Sequence, residues 1–309
     1  MTDRRSRILD GLDIRNLEGV EIGALCWPIV SKSDGSITYV DHADTETLRE
    51  KYGEKHSESL EQIVDVDVVA GNRTLPEALG PDRRFDYVVA SHVIEHVPDL
   101  IGWLNELAAV LKENGDIRLA VPDKRFTFDF RRQNTKLADV MAAHVVQARV
   151  PQPQQILDFQ SNYADLDVSD GWRSHLPDLA SPVSFGNCVT WMAVAKEAMN
   201  NIYHDVHCWV FTPESFASLF YEMALLGFHS FECHIFHDTL PNEYEFIIAL
   251  KHNQDKARVL KSWLSMAAAA TAAGSSSSQL KEMVDFRGKS EHDLGHVDKL
   301  LTQRRAAMI

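Results

Sequence analysis

Three short stretches of this 309-residue chain hold side chains whose types and spacing suit chemistry. Val20-Glu21-Ile22-Gly23-Ala24 closes an apolar run with an acid and a glycine. In open α/β sheets that edge is where nucleotides bind, and a glycine lets the backbone pass close to a ligand. Asp41 follows 20 residues after Glu21, at the end of a second apolar run. A carboxylate at that spacing can accept hydrogen bonds from both hydroxyls of a ribose, although an Asp there also caps helices. The third stretch is Ser91-His92-Val93-Ile94-Glu95-His96. Histidines at i and i+4 of a helix, with a glutamate beside them, form a zinc-hydrolase signature. Against that reading, Ser91 ends a strand and Pro98 biases Val97 away from helical geometry.

These positions need elements to hold them. Short β-branched runs at 19–24, 36–42, 62–70, 85–91 and 116–121 read as strands. Helices are expected at 45–52, with Asp44 as N-cap, and at 99–111, with a turn at Asn114-Gly115. Alternation of strand and helix means a parallel sheet with right-handed crossovers. Thr212-Pro213-Glu214 opens a further helix that stops at Gly227. Two strands follow at 228–236 and 243–251, and their short connector makes them an antiparallel hairpin. Residues 122–207 break the rhythm and are too long for a loop, so they read as an inserted, partly helical cap.

Composition narrows the classes. Lys and Arg number 31 against 45 Asp and Glu, a net charge of −14, which repels nucleic acid and anionic membranes. No apolar run approaches the roughly 20 residues of a membrane span. The first ten residues are polar and Arg-rich, unlike a signal peptide. Cys26, Cys188, Cys208 and Cys233 form no paired motif, so neither a disulfide framework nor a cysteine zinc site is expected, and a reduced cytoplasmic setting is.

Taken in order, Glu21-Ile22-Gly23, Asp41, the run Phe85-Asp86-Tyr87-Val88-Val89-Ala90-Ser91-His92-Val93-Ile94-Glu95-His96-Val97-Pro98 and Leu111-Lys112-Glu113-Asn114-Gly115-Asp116 resemble class I S-adenosylmethionine-dependent methyltransferases. The likeness covers about residues 17–125 and 210–252. Pro122-Asp123-Lys124-Arg125-Phe126 and the stretch from His207 to Phe216 are similar to methyltransferase domains met beside bacterial surface-glycan glycosyltransferases. The sequence departs from the family at its glycine loop, where Gly23-Ala24-Leu25-Cys26-Trp27-Pro28 places bulky Leu25 and Trp27. It departs again after the third strand, where Ala70-Gly71-Asn72 stands in place of an acid.

The resemblance implies a Rossmann-like α/β fold, with a seven-stranded, mostly parallel sheet, an antiparallel C-terminal hairpin and the cap. It implies methyl transfer from S-adenosylmethionine to a small molecule or glycan, such as a nucleotide sugar, with an oxygen as the expected acceptor atom. Glu21, Gly23 and Ala24 would meet the methionine end of the cofactor, Asp41 and His42 the ribose, Gly71 and Asn72 the adenine, and Ser91 and His92 the cofactor floor. His96, Asp123, His204 or His207 would supply a base. Tyr203-His204-Asp205-Val206-His207 suits a His–Asp base pair or metal ligands, but no metal is assigned. Lys124 and Arg125, with Arg131 and Arg132, would contact an acceptor phosphate or carboxylate.

The expected organisation is a methyltransferase domain at 1–254, a linker at 255–278 that includes the low-complexity run Met266 to Ser278, and a helical tail at 279–309. The tail reads equally as an oligomerisation or partner-docking segment and as a solvated appendage. Two further functions stay open at this level. One is a non-catalytic methyltransferase-like scaffold acting through the tail, and the other is the zinc hydrolase.

Overall fold

Strand β1 (Glu18–Ile22) pairs in parallel with β2 (Ser36–Asp41) on one side and β4 (Phe85–Ser91) on the other. The computed structural model describes residues 3–52, 62–173 and 185–270. Its sheet has seven strands in the order β3-β2-β1-β4-β5-β7-β6. β3 is Val68–Val69, β5 Leu111–Pro122, β6 Phe231–His237 and β7 Glu245–His252. The first five are parallel, while β7 runs antiparallel to both β5 and β6. Strand order therefore reverses between β1 and β4, and open sheets of this kind bind ligands in the crevice beyond the carboxyl ends of those strands.

The helices form where the sequence supplies their ends. Asp44 caps α2 (Thr45–Tyr52) through a 2.8 Å bond from the Thr47 amide. Asp99 caps α4 (Leu100–Val110). Thr212 caps α9 (Pro213–Leu226), Pro213 takes its first position, and Gly227 ends it in the left-handed region at φ 82°. The short helices α1 (Arg4–Ile8) and α3 (Leu75–Leu79) flank the sheet. The larger core packs Leu104, Leu107, Phe216, Phe220 and Trp263 onto Val88, Ile117 and Ile248. A smaller one gathers Ile8, Val30, Tyr39 and Tyr87.

Three expectations are corrected. The strand expected at 62–70 shortens to Val68–Val69, because the Asp67 carboxylate turns back to accept from the Tyr39 amide at 2.9 Å and pairs with Lys32. The turn expected at Asn114-Gly115 is instead an irregular register inside β5, and α4 has already stopped at Val110. The linker expected from 255 begins as α10 (Lys256–Ala269), whose Val259, Leu260, Trp263, Met266 and Ala267 are buried against α9 and β6. The tail at 279–309 lies outside the described residues.

Within 122–207 the described chain is largely helical: α5 (Leu137–Val145), α6 (Pro153–Asn162), α7 (Val168–Trp172) and α8 (Phe185–Ala198). Phe126 stacks on Trp172 with centroids 4.2 Å apart, which ties this region to the end of β5. Among the described residues no helix is long and apolar enough to cross a membrane.

Candidate functional site

A cleft of about 1140 Å³ opens beyond the carboxyl ends of β1, β2 and β4. Single-ligand sites occupy roughly 300–1,000 Å³, so this one has room for two molecules. Gly23, Asp41, His42, Gly71, Asn72, His92, His96 and His207 all line it, as the sequence reading expected.

The loop geometry explains how these residues reach one wall. Gly23 takes φ 67° and donates its amide to the Val40 carbonyl at 2.9 Å, which turns the chain sharply off β1. A Cβ there would lie 3.0 Å from Val93 Cγ2. Asp41 is buried, and its Oδ1 accepts from both the amide and the Nδ1 of His42 at 2.7 and 2.6 Å. Among the described residues Oδ2 has no protein partner, so it stays available to a ligand. Gly71 takes φ 57°, and nothing lies within 4 Å of where its Cβ would be.

Seven of the expected site residues do not line the cleft. The Glu21 carboxylate turns beneath the loop and accepts from the Ile29 and Val30 amides at 2.7 and 3.0 Å. Burial raises its pKa to about 7 despite those two bonds. Ala24 packs in the smaller core. The Ser91 hydroxyl accepts from Arg4 at 2.6 Å. Asp123 is fully buried, gripped by the Arg125 guanidinium and the Thr239 hydroxyl. Arg125 is thereby spent on structure, and Lys124 donates to the Phe130 carbonyl at 3.1 Å. Arg132 is buried between Asp129 and Asp158. Of the expected basic face, Arg125 and Arg132 thus enter ion pairs with neighbouring acids and Lys124 a backbone contact. His204 pairs with Glu197 at 2.9 Å. Trp27 does not crowd the glycine loop, since it is 69% exposed and only Leu25 reaches the cleft.

The same cleft holds an acid–histidine cluster only part of which the sequence reading assembled. Glu95 and His96 lie in a 3-10 turn, Ile94–His96, directly after β4. His207 comes from the far end of the cap region, and its Nδ1 is 2.5 Å from Asp129 Oδ2. His96 Nδ1 is 3.1 Å from Asp205 Oδ1, somewhat off the best hydrogen-bond line. The two imidazoles meet edge to face with centroids 4.7 Å apart. Burial works against a proton on His96, but Asp205 and Glu95 outweigh it and raise its pKa. The His96 contact holds Asp205 well below the usual carboxylate range, against burial and with help from Lys51. Asp129 is likewise lowered, its burial outweighed by His207 and Arg132. The pairing of Asp205 with His96 rather than with its chain neighbours His204 and His207 is a contact no local spacing announces.

The helix face required by the zinc-hydrolase signature does not form. His92 takes φ 54°, and its Nε2 turns to Glu245 at 2.7 Å. His92 and His96 therefore sit in different backbone conformations and face different carboxylates.

A family model described as a methyltransferase domain matches residues 36–224, more than half of the chain. The chain belongs to this methyltransferase domain family. Among curated proteins it is similar to the ubiquinone biosynthesis O-methyltransferase of Rhodopseudomonas palustris strain BisA53, 31% identical over 115 residues, or 37% of this chain and 42% of that protein. The protein of the same name from Bradyrhizobium diazoefficiens strain USDA 110 is 31% identical over 112 residues, 36% of this chain and 40% of its own length. The chain thus spans about two fifths of the curated relatives it matches. Among solved structures, the magnesium protoporphyrin IX methyltransferase of Synechocystis PCC 6803 with bound SAH covers 78% of this chain and 76% of its own, at 10% identity and a TM-score of 0.35. So distant a likeness carries nothing about the site.

The cofactor of a class I methyltransferase domain is S-adenosylmethionine, and the cleft fits it. Among the described residues, Asp41 offers the cleft a carboxylate oxygen without a protein partner, and Gly71 leaves open space beside Asn72. In this methyltransferase domain the Glu21 carboxylate braces the loop from below and does not line the cleft.

Proposed function

We propose that this chain transfers the methyl group of S-adenosylmethionine to a hydroxyl oxygen of a small-molecule acceptor. The observation that carries the reading is that two carboxylate-backed histidines, His96 with Asp205 and His207 with Asp129, open into the same cleft as Asp41. A hydroxyl is a poor nucleophile until a base takes its proton, and an imidazole supplies that base near neutral pH. The names of the curated relatives, both O-methyltransferases, support the same acceptor atom.

Bound S-adenosylmethionine supplies a methyl group already activated on a sulfonium. Asp41 would hold its ribose, Ala70 to Asn72 would border its adenine, and His92 would line its floor. The acceptor oxygen would take that methyl carbon, and the sulfur would keep the carbon–sulfur electron pair as a neutral thioether. The acceptor proton passes to an imidazole of the His96–His207 pair, and Asp205 and Asp129 stabilise the imidazolium. The walls of the cleft contribute alignment and exclusion of water.

A nucleotide-sugar or phosphorylated glycan acceptor loses the support that Lys124 and Arg125 were expected to give, since both are turned into internal contacts. A neutral, hydroxyl-bearing acceptor fits better. The test is methyl transfer from labelled cofactor to a panel of phenols, catechols, sugars and amines. Label on oxygen acceptors is expected, and label on amines alone overturns the reading.

A further inference from the structure

We propose that Glu95, His96 and His207 form a binding site for one divalent transition-metal cation, and that the cation activates the acceptor hydroxyl. Ligand atoms of the three side chains all lie within 4.8 Å of one another. Two imidazoles and one carboxylate are a borderline N/O set that suits Zn²⁺, Mn²⁺, Fe²⁺ or Co²⁺ rather than Mg²⁺ or Ca²⁺.

Two independent features point to a cation. The first is Glu95 itself. It is 1% exposed, and among the described residues neither carboxylate oxygen has a hydrogen-bond partner. The imidazole nitrogens His92 Nδ1 and His96 Nε2 stand 3.6 and 3.9 Å from its Oε1. A carboxylate taken out of water and left unpaired is costly, and a cation would satisfy it. The second is the backing of the histidines. Each imidazole meets a carboxylate through Nδ1, Asp205 for His96 and Asp129 for His207, which leaves Nε2 as the nitrogen available to a ligand. Metal-bound histidines are held in this way, the outer carboxylate fixing the ring and raising its basicity.

Three protein ligands leave coordination positions open towards the cleft. With a cation bound, both imidazoles are its ligands and no longer take the acceptor proton, and an acceptor hydroxyl occupying an open position would lose that proton to solvent at a lower pH than it does in water. This role for the cation rests on the reading of the cleft as a methyl-transfer site, whereas its binding does not.

The experiment uses the full chain, stripped with chelator and titrated calorimetrically with Zn²⁺ and with Mn²⁺, Mg²⁺ serving as control. One Zn²⁺ or Mn²⁺ per chain is expected. Glu95→Gln and His207→Ala should each weaken it about tenfold or more, and Asp129→Asn, a positioning variant, about tenfold. Each variant is checked by circular dichroism and by S-adenosylhomocysteine titration, which should stay within about threefold of the parent. Should a variant fail to fold, Co²⁺ absorption of the parent decides: a spectrum of nitrogen and oxygen ligands without thiolate charge transfer supports the site, and thiolate bands overturn it. Absent binding, or binding that none of the three substitutions changes, overturns it too. If S-adenosylhomocysteine binds and methyl transfer proceeds with no cation, the metal proposal fails while the methyl-transfer reading stands. If the cation binds and no methyl transfer occurs, the reverse holds.

Discussion

Arg4 and Glu245 stand 241 positions apart in the chain, and the Arg4 guanidinium grips the Glu245 carboxylate through bonds of 2.6 and 2.9 Å. Oε2 of that carboxylate also meets His92 Nε2 at 2.7 Å, on the wall of the cleft. The first helix of the chain is therefore coupled to the wall of the cleft through a strand near the other end of the sheet.

Stability in acid should depend on this grip. Burial opposes ionisation of Glu245, but His92 and Arg4 overcome it and bring its pKa from 4.5 to about 2. A depressed folded-state value adds stability that is complete above about pH 4.5 and lost as the pH falls through 2. The gap corresponds to about 3 kcal/mol at most, shared between two partners, one of them partly exposed. Arg4→Met should raise the midpoint of acid unfolding, followed by circular dichroism, and change stability at pH 7 by about 1 kcal/mol. An unchanged acid midpoint would show that the pair does not contribute.

Asp41→Ala should weaken S-adenosylhomocysteine binding roughly tenfold to a hundredfold, the value of hydrogen bonds to a charged acceptor. Calorimetric titration of parent and variant side by side checks it. Equal affinities would remove the ribose role from Asp41.

Gly23→Ala and Gly71→Ala should separate loop strain from ligand contact. Both glycines have positive φ, so each alanine costs about 1–2 kcal/mol of stability. Gly23→Ala also presses a Cβ on Val93, whereas Gly71→Ala meets only open space. Thermal unfolding without ligand should therefore favour Gly71→Ala. The larger cofactor-induced stabilisation should be lost in that variant if the adenine lies beside Gly71.

Trp263→Ala should destabilise the fold by about 3–5 kcal/mol. Trp263 is fully buried against Phe216 and Phe220, and its indole donates to the Phe231 carbonyl at 3.0 Å. Denaturant unfolding measures the loss. A shift under 1 kcal/mol would mean that α10 behaves as the linker its composition resembles.

Much of the scaffold is legible in the sequence because its signals are local. Strand 85–91 is centred on the apolar run Tyr87-Val88-Val89-Ala90 and appears as β4 with the same limits. Thr212, Pro213 and Gly227 mark both ends of α9 by their own backbone preferences. α10 is obscured because its alanines read as low complexity, while Val259, Leu260, Trp263 and Met266 carry the helical stripe beneath them. The site divides along the same line. Asp41 and Gly71 follow strands and are found by position. The cluster of Glu95, His96 and His207 joins the turn after β4 to the far end of the cap region, a meeting set by tertiary packing and by no spacing. Lys124 and Arg125 mislead for a different reason, since a run of cations does not reveal that neighbours in the chain, the Phe130 carbonyl and the Asp123 carboxylate, will take them up.

The place of β7 in the sheet governs how the protein can be made. β7 is last among the strands in the chain, yet it lies between β5 and β6 and satisfies the ladder groups of β5 from Asp116 to Pro122. A ribosome must release nearly all of the described chain before that apolar edge closes. Until then Ile117, Leu119 and Val121 belong to an open strand, the kind of surface on which unfinished chains associate. The same strand brings Glu245 to Arg4 and His92, so this wall of the cleft is also completed late in synthesis. Chains stopped short of residue 245 are thus expected to be both inactive and prone to aggregate, and a folding helper that covers β5 would act on this interval alone.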